Sequence, residues 1–313
     1  MAYELAWGWE IAAAIFFGGL GGGAFILTAV TSFLTGNAYR DILKFGSYIG
    51  VLSAILCIFF FMLDLGAPER ALFAYSNPSS MITIGTTILT VIIPLGLVYA
   101  SFHLPDSLPR LKSMFIWSGN IRARTAIEVL AFIFGIGLVS YTGFVLGVIL
   151  ATPFWGSPLL AVLFFLSGVS TAIMAIGLLM TPLYTATKLE RPKKALIEAL
   201  HRLDVADGYM VVIELGALLA YVFTMLYSSE VLATRSAIIL LSGSLSALFW
   251  GGVVVLGLLV PLLLLIFLAW RGRTAAYIRF YPPLLSIASI SALVGGLLMR
   301  YTVVAAGQLA FFP

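Results

Sequence analysis

Uncharged apolar runs of roughly the 20 residues that a helix needs to cross a bilayer recur along this chain, and they leave little choice of fold. The runs predict helices near Ile11–Leu34, Phe45–Leu63, Met81–Phe102, Ile127–Leu150, Leu159–Tyr184, Tyr209–Tyr227, Leu245–Trp270 and Leu284–Met299. The uncharged stretch from Ser236 to Ala269 is too long for one straight crossing. Its Ser- and Gly-containing first part is assigned to the membrane surface, with nine spans as the alternative. Charged residues make up only 10% of the protein, against about 25% in a soluble domain. The expectation is an all-α integral membrane protein of eight transmembrane helices, arranged as two four-helix bundles. No linker or low-complexity tract divides residues 1–313, so a single membrane domain is expected.

Basic residues gather on alternate connections: Arg40 and Lys44; Arg110, Lys112, Arg122 and Arg124; Lys188, Arg191, Lys193, Lys194 and Arg202; then Arg271, Arg273 and Arg279. The other side holds only Arg70, Arg235 and Arg300. The positive-inside rule makes the first set cytoplasmic and puts both termini outside, in a multi-pass protein of the cytoplasmic membrane. This bias accounts for the net charge of +4 without a nucleic-acid partner. Trp7, Trp9 and Trp155 then belong to an outer aromatic belt, Trp117 and Trp270 to an inner one, and Trp250 to packing within a span. No Lys or Arg precedes the first apolar run, so that run is read as a retained helix rather than a cleaved signal.

Much redox chemistry is excluded by the residues available. Cys57 is the only cysteine, which rules out an internal disulfide or an iron–sulfur cluster held by this protein alone. A membrane haem wants two histidines on facing helices, whereas His103 ends the third span and His201 lies in a basic connection. No haem is expected, and no His, Asp and Glu set has zinc spacing.

Polar groups at membrane depth are the functional candidates, because ionisable side chains there are costly. Asp64, Glu69 and Arg70 interrupt the apolar pattern at the mouth of the second span, within Asp64–Pro78. Glu10 starts the first span, Tyr141 lies in the fourth, and Arg300 and Gln308 follow the eighth. Pairing of Asp64 with Arg70 or with Arg300 is the structural alternative. Asp207 and Glu214 share a face of the sixth helix about 10 Å apart along its axis, and Glu128 enters the fourth span from the same side. Together these three acids offer a proton route from the cytoplasm. Tyr141 lies roughly 13 Å from the outer end of its span, where its hydroxyl is a candidate donor to a carbonyl oxygen. The segments Phe16–Ala24 and Phe164–Ala172 place small residues at matching positions four spans apart, as an internal repeat or by chance. The glycine run Gly18–Gly23 is read as close helix packing, with approach of a flat ligand as the second possibility.

Three motifs in order carry a resemblance: Phe17-Gly18-Gly19-Leu20-Gly21-Gly22-Gly23; Asp64-Leu65-Gly66-Ala67-Pro68-Glu69-Arg70 with Asn77-Pro78-Ser79-Ser80-Met81; and Tyr141-Thr142-Gly143-Phe144-Val145-Leu146-Gly147 with Pro153-Phe154-Trp155. The sequence resembles the NrfD/PsrC family over most of its length. The resemblance implies a haem-free membrane subunit that exchanges electrons with a quinone pool, menaquinone or a related quinone. It implies an iron–sulfur, ferredoxin-like partner on the outer face, which connects it to a molybdopterin catalytic subunit or a multihaem cytochrome. By the same resemblance Tyr141 is a quinone ligand, and the Asp64 segment shapes the quinone pocket. The polysulfide reductase form of the family uses Asn and His side chains in its first helix. Here that stretch reads Ile11-Ala12-Ala13-Ala14-Ile15, leaving Glu10 as the available polar group.

The expected function is thus quinol binding near Tyr141, Asp64 and Glu10. Electrons go to the external subunit, and proton movement involves Glu69, Glu128, Asp207, Glu214 and Arg300. A membrane anchor with a degenerate site and a proton-coupled secondary transporter are the alternatives.

Overall fold

The computed structural model describes residues 6–36, 38–66, 68–104, 120–186, 190–271 and 280–312. The expected inner anchor Trp117 and the basic residues Arg110, Lys112, Lys188, Arg273 and Arg279 lie outside the described residues, as do the side chains of Arg191, Lys193, Lys194 and Arg271.

Eight helices are long and apolar enough to cross a membrane, and no strand occurs among the described residues. In sequence order they begin with α1 (Trp9–Thr35), α2 (Arg40–Leu65), α3 (Met81–Ser101) and α4 (Ile121–Gly147). There follow α5 (Pro158–Ala186), α6 (Glu190–Leu226), the short α7 (Val231–Leu241), a π-helix (Leu248–Leu259) continuing into α8 (Val260–Arg271), and α9 (Tyr281–Leu309). Local signals set several ends. The Ser80 side chain accepts from the Ile82 N–H to cap α3, and Asn120 does the same for α4 through the Ala123 N–H. Eleven residues give α7 only about 16 Å of length, too little to cross, so the nine-span alternative fails.

Two ends differ from the sequence expectation in ways that matter. Helix α6 begins at Glu190 rather than Tyr209, and α9 runs to Leu309 rather than Met299. Backbone hydrogen bonding does not stop where the apolar run stops, so a helix carries polar residues along wherever neighbouring helices cover them. Arg300 and Gln308 therefore lie inside α9 rather than after it, and Asp204 lies inside α6.

Helix α1 is the centre of the molecule, packing on α2, α4, α5 and α9. Its glycines allow this. A Cβ on Gly21 would meet Gly50 and Ala54 of α2 at 3.2 Å, one on Gly22 would lie 2.6 Å from the Gly135 carbonyl oxygen of α4, and one on Gly23 would lie 2.8 Å from the Gly168 carbonyl carbon of α5. The run is a packing seam, as small residues commonly are where dispersion rather than hydrophobicity joins helices in lipid. Its two matching segments, Phe16–Ala24 and Phe164–Ala172, cross each other at Gly19, Gly23 and Gly168. They belong to the first helices of two groups, α1 to α4 and α5 to α9, which meet mainly along α1, α4 and α5.

The start of α1 and the end of α9 meet at one end of the bundle. The Gln308 side chain accepts from the Trp7 N–H at 2.9 Å and donates to the Trp7 carbonyl at 2.8 Å, tying the start of α1 to the end of α9. We call this the terminal face, and the opposite one, where Arg40, Lys44, Arg124 and Arg202 lie, the basic face. Trp155 is at the terminal face but is not a lipid anchor: it is 3% exposed, stacks on Trp7 at 5.5 Å, and donates its indole N–H to the Val303 carbonyl. Trp9 and Trp270 are exposed, as belt residues should be, and Trp250 is half-exposed with its N–H bonded to the Leu241 carbonyl.

Candidate functional site

A cavity of about 590 Å³ opens at the terminal face, walled by the start of α1, the end of α2, the start of α3 and the end of α4. Its roof is the Asp64–Pro78 break. Gly66, at φ 62°, takes the left-handed conformation that ends α2, and the backbone then winds into a 3₁₀ turn over Pro68–Tyr75. The roof is fastened to α3. Thr83 donates to the Ala74 and Asn77 carbonyls at 2.6 Å, the Asn77 side chain accepts from the Ser79 N–H, and the Tyr75 and Thr90 hydroxyls bond at 2.5 Å.

Most of the wall is apolar, from Ile11, Ile58, Phe61, Met62, Leu89 and Val145. Tyr141 enters it from α4, its side chain buried and its hydroxyl without a hydrogen-bond partner among the described residues. Room for the ring is made by Gly85 of α3, where a Cβ would lie 2.5 Å from the hydroxyl oxygen. Asp64, in the last turn of α2, lines the same cavity with Arg70, Asn77 and Ser80. Neither pairing offered as the structural alternative for Asp64 is formed: among the described residues it has no ion pair with Arg70, and Arg300 is engaged elsewhere.

The other expected residues fall in different places. Glu10 is partly buried and within electrostatic reach of Asp64, but Trp7 and Ile11 on either side of it, not Glu10 itself, line the cavity. Glu69 is exposed outside the lining. Glu128 is buried at the basic end of the first group, where it pairs with Arg124 at 3.1 Å and accepts from Ser32 and Tyr99. Asp207 and Glu214 are buried in the second group. The three-acid row expected from the sequence is thus divided between the two groups, because α4 and α6 present their acids to different neighbours.

Arg300 is fully buried. Its guanidinium donates to the Ser167 hydroxyl and the Gly296 carbonyl, both at 2.8 Å, and to the Phe164 carbonyl at 3.4 Å. It also lies over the rings of Phe16 and Phe164 at 5.5 and 5.2 Å. The same group of helices holds polar residues that sequence reasoning misses: Asp204, Ser167, Ser170 and Tyr281. The spacing Asp204–Asp207 is a helical i, i+3 pair and is the available signal. It is hidden when the sixth span is taken to start at Tyr209.

An apolar slot with a hydroxyl and a carboxyl at its terminal-face end suits a flat amphipathic ring, and its size falls in the roughly 300–1,000 Å³ range of ligand pockets. Comparison with known proteins agrees with the ordered motifs. The family described as "Polysulphide reductase, NrfD" matches residues 1–312. The chain belongs to the NrfD family. It is 29% identical to the C subunit of polysulfide reductase from Wolinella succinogenes, over 97% of its own length and 95% of that protein. It is 25% identical to protein NrfD of Escherichia coli (98% and 96% covered) and 24% identical to an NrfD homologue of Haemophilus influenzae (98% and 95%). This NrfD-family protein is a multi-pass integral membrane protein, and the three motifs that carried the resemblance lie in α1, at the cavity roof, and in α4 with the turn that follows it.

Proposed function

We propose that this protein is the quinone-reactive membrane subunit of a respiratory oxidoreductase, with its site in the terminal-face cavity. The observation that carries the reading is the joining of Tyr141 and Asp64, 77 positions apart in sequence, around one apolar cavity beneath the roof. The slot accepts the ring and first part of the tail of a menaquinone-like molecule. The Tyr141 hydroxyl is the donor to a ring oxygen, and Asp64, with free access to the terminal face, is the acceptor for a proton that leaves it. Glu10 adds a second carboxyl beside Asp64, and Glu69, on the exposed side of the roof, stands on the way to solvent.

When bound, a quinol supplies two electrons and two protons. With one Cys and two His, this protein is read as passing the electrons to a neighbouring carrier. An iron–sulfur subunit docked over the terminal face is the economical arrangement, with a molybdopterin subunit or multihaem cytochrome beyond it. That face is the outer one if the basic connections are cytoplasmic. The name of the Wolinella relative, one lettered component of a reductase, supports a multisubunit setting.

Tyr141→Phe removes the donor and keeps the ring. Quinol-dependent turnover of the assembled complex should fall by at least tenfold, with normal subunit content. Wild-type turnover in that variant would remove Tyr141 from the site.

A further inference from the structure

The cavity lies in the first group of helices, yet one part of its wall is held in place by the second. Trp7, just before α1, lines the cavity and is partly buried. One side-chain amide grips its backbone from both sides. Gln308, 301 positions away, accepts from the Trp7 N–H at 2.9 Å and donates to the Trp7 carbonyl at 2.8 Å. The same amide nitrogen donates to the Val304 carbonyl at 3.2 Å, which fixes the Gln308 side chain along α9. One face of the Trp7 indole is taken by Trp155, with 5.5 Å between ring centroids and 11° between planes.

Trp155 is held in its turn. It is buried, and its indole N–H donates to the Val303 carbonyl of α9 at 3.0 Å. Its ring can lie this close to α9 because residue 307 is Gly: a Cβ there would stand 2.5 Å from the ring carbon Cε2. The turn that carries it is fixed from α6, where the Tyr221 hydroxyl donates to the Phe154 carbonyl at 2.7 Å. So α6 and α9 hold Trp155, Trp155 and Gln308 hold Trp7, and Trp7 borders the cavity. An indole that only anchors a protein at the membrane interface keeps its ring among the lipid headgroups, as the exposed Trp9 does. Trp7 is instead a rigid aromatic surface on the side of the cavity away from lipid-facing α3. A wall fixed beforehand lowers the ordering cost of binding a flat ring, and aromatic rings in contact gain more than their buried area alone provides.

We propose that Trp7 is a ring-binding residue of the cavity: the quinone ring packs against its indole while Tyr141 donates to a ring oxygen. Gln308 does not line the cavity and is a positioning residue that acts through Trp7. The inference rests on the quinone reading above and adds to it that the second group of helices completes the site. Residues 303–308 of α9 thereby bear on quinone affinity without touching the quinone.

The test uses the whole complex in native membranes, with quinol as donor. Trp7→Leu should raise the quinol KM by about tenfold, and Trp7→Phe, which keeps a ring, by roughly threefold or less. The change in kcat should be the smaller one, as it is when binding common to ground and transition states is lost. Gln308→Leu should also raise KM, but should add nothing to it in a Trp7→Leu background, because its effect passes through the indole. An unchanged KM in Trp7→Leu overturns the ring contact, and a further rise in the double variant overturns the positioning role. If the variants do not assemble, a photoreactive azidoquinone on the wild-type complex decides. Label on the peptide that contains Trp7, displaced by excess quinol, supports the inference. Label confined to the cavity peptides of α3 and α4 overturns it and leaves the cavity reading intact, whereas label wholly outside the cavity overturns both.

Discussion

Gly85→Ala is the sharpest probe of the cavity, because it alters no polar group and yet acts directly on Tyr141. The added Cβ would stand 2.5 Å from both Cε2 and the hydroxyl oxygen of Tyr141. Non-bonded carbons rest about 3.5–4.0 Å apart, so the ring must yield by roughly 1 Å or more. The ring is buried and backed by α4, and displacement of this kind costs about 1–3 kcal/mol. A shift of about 1 Å at a reacting group can cost on the order of 100-fold in rate. Quinol-dependent turnover in native membranes, normalised to subunit content, should therefore drop by tenfold or more. Gly137→Ala is the control: its Cβ would meet Ile88 of the same α3–α4 pair at 3.5 Å, an ordinary contact, and turnover should be unchanged. Wild-type turnover in Gly85→Ala at wild-type abundance would mean that the position of Tyr141 does not matter, and the site assignment would fail with it.

Gly168→Ala should lower the thermal midpoint of the detergent-solubilised protein, by about 1–3 kcal/mol in free energy, since its Cβ would lie 2.9 Å from the Gly19 carbonyl oxygen at the crossing of the two groups. Tyr221→Phe leaves the Phe154 carbonyl, now bonded at 2.7 Å, without its donor; a loss of about 1–3 kcal/mol is expected by denaturant titration. His103 lies just beyond α3, and burial, then Arg124 and Arg40, push its pKa down to about 4. The unfolded polypeptide binds a proton there below about pH 6.5, while the folded one does not until about 4. Stability is therefore full above pH 6.5 and declines as pH falls toward 4. His103→Gln should flatten that slope in melting curves taken across the range, and an unaltered slope would exclude His103 as its source.

Sequence is most informative here where one physical quantity decides the outcome. The apolar length of each run marks the spans, and Asp64, Tyr141 and the glycine run stand out by type and position. The Asp64–Pro78 break is legible as polar, but not as a roof, because that depends on Gly66 turning the backbone and on Thr83 holding it to α3. Asp204 escapes notice because the polarity of Glu190–Gly208 resembles a loop, and only the packing of α5 on α6, with the Tyr281 side chain at the start of α9, buries it. Glu128 groups with Asp207 by depth alone. Depth is readable from a sequence, whereas the direction in which an acid faces around its helix is not. In the sequence Arg300 reads as lying past the end of its helix for a related reason, since a charge looks like a boundary until a hydroxyl and two carbonyls are seen to receive it.

Residue order by itself determined that this protein spans the membrane as helices and which family it resembles. These follow from transfer energies and from the inventory of side chains, both local properties. Tertiary structure alone decided that Tyr141 and Asp64 share a cavity, that the glycine run is a seam between helices, and that Asp204, Asp207, Glu214 and Arg300 are buried in the second group. Those facts depend on how helices are rotated and paired, and in lipid that is settled by close packing between residues far apart in the sequence.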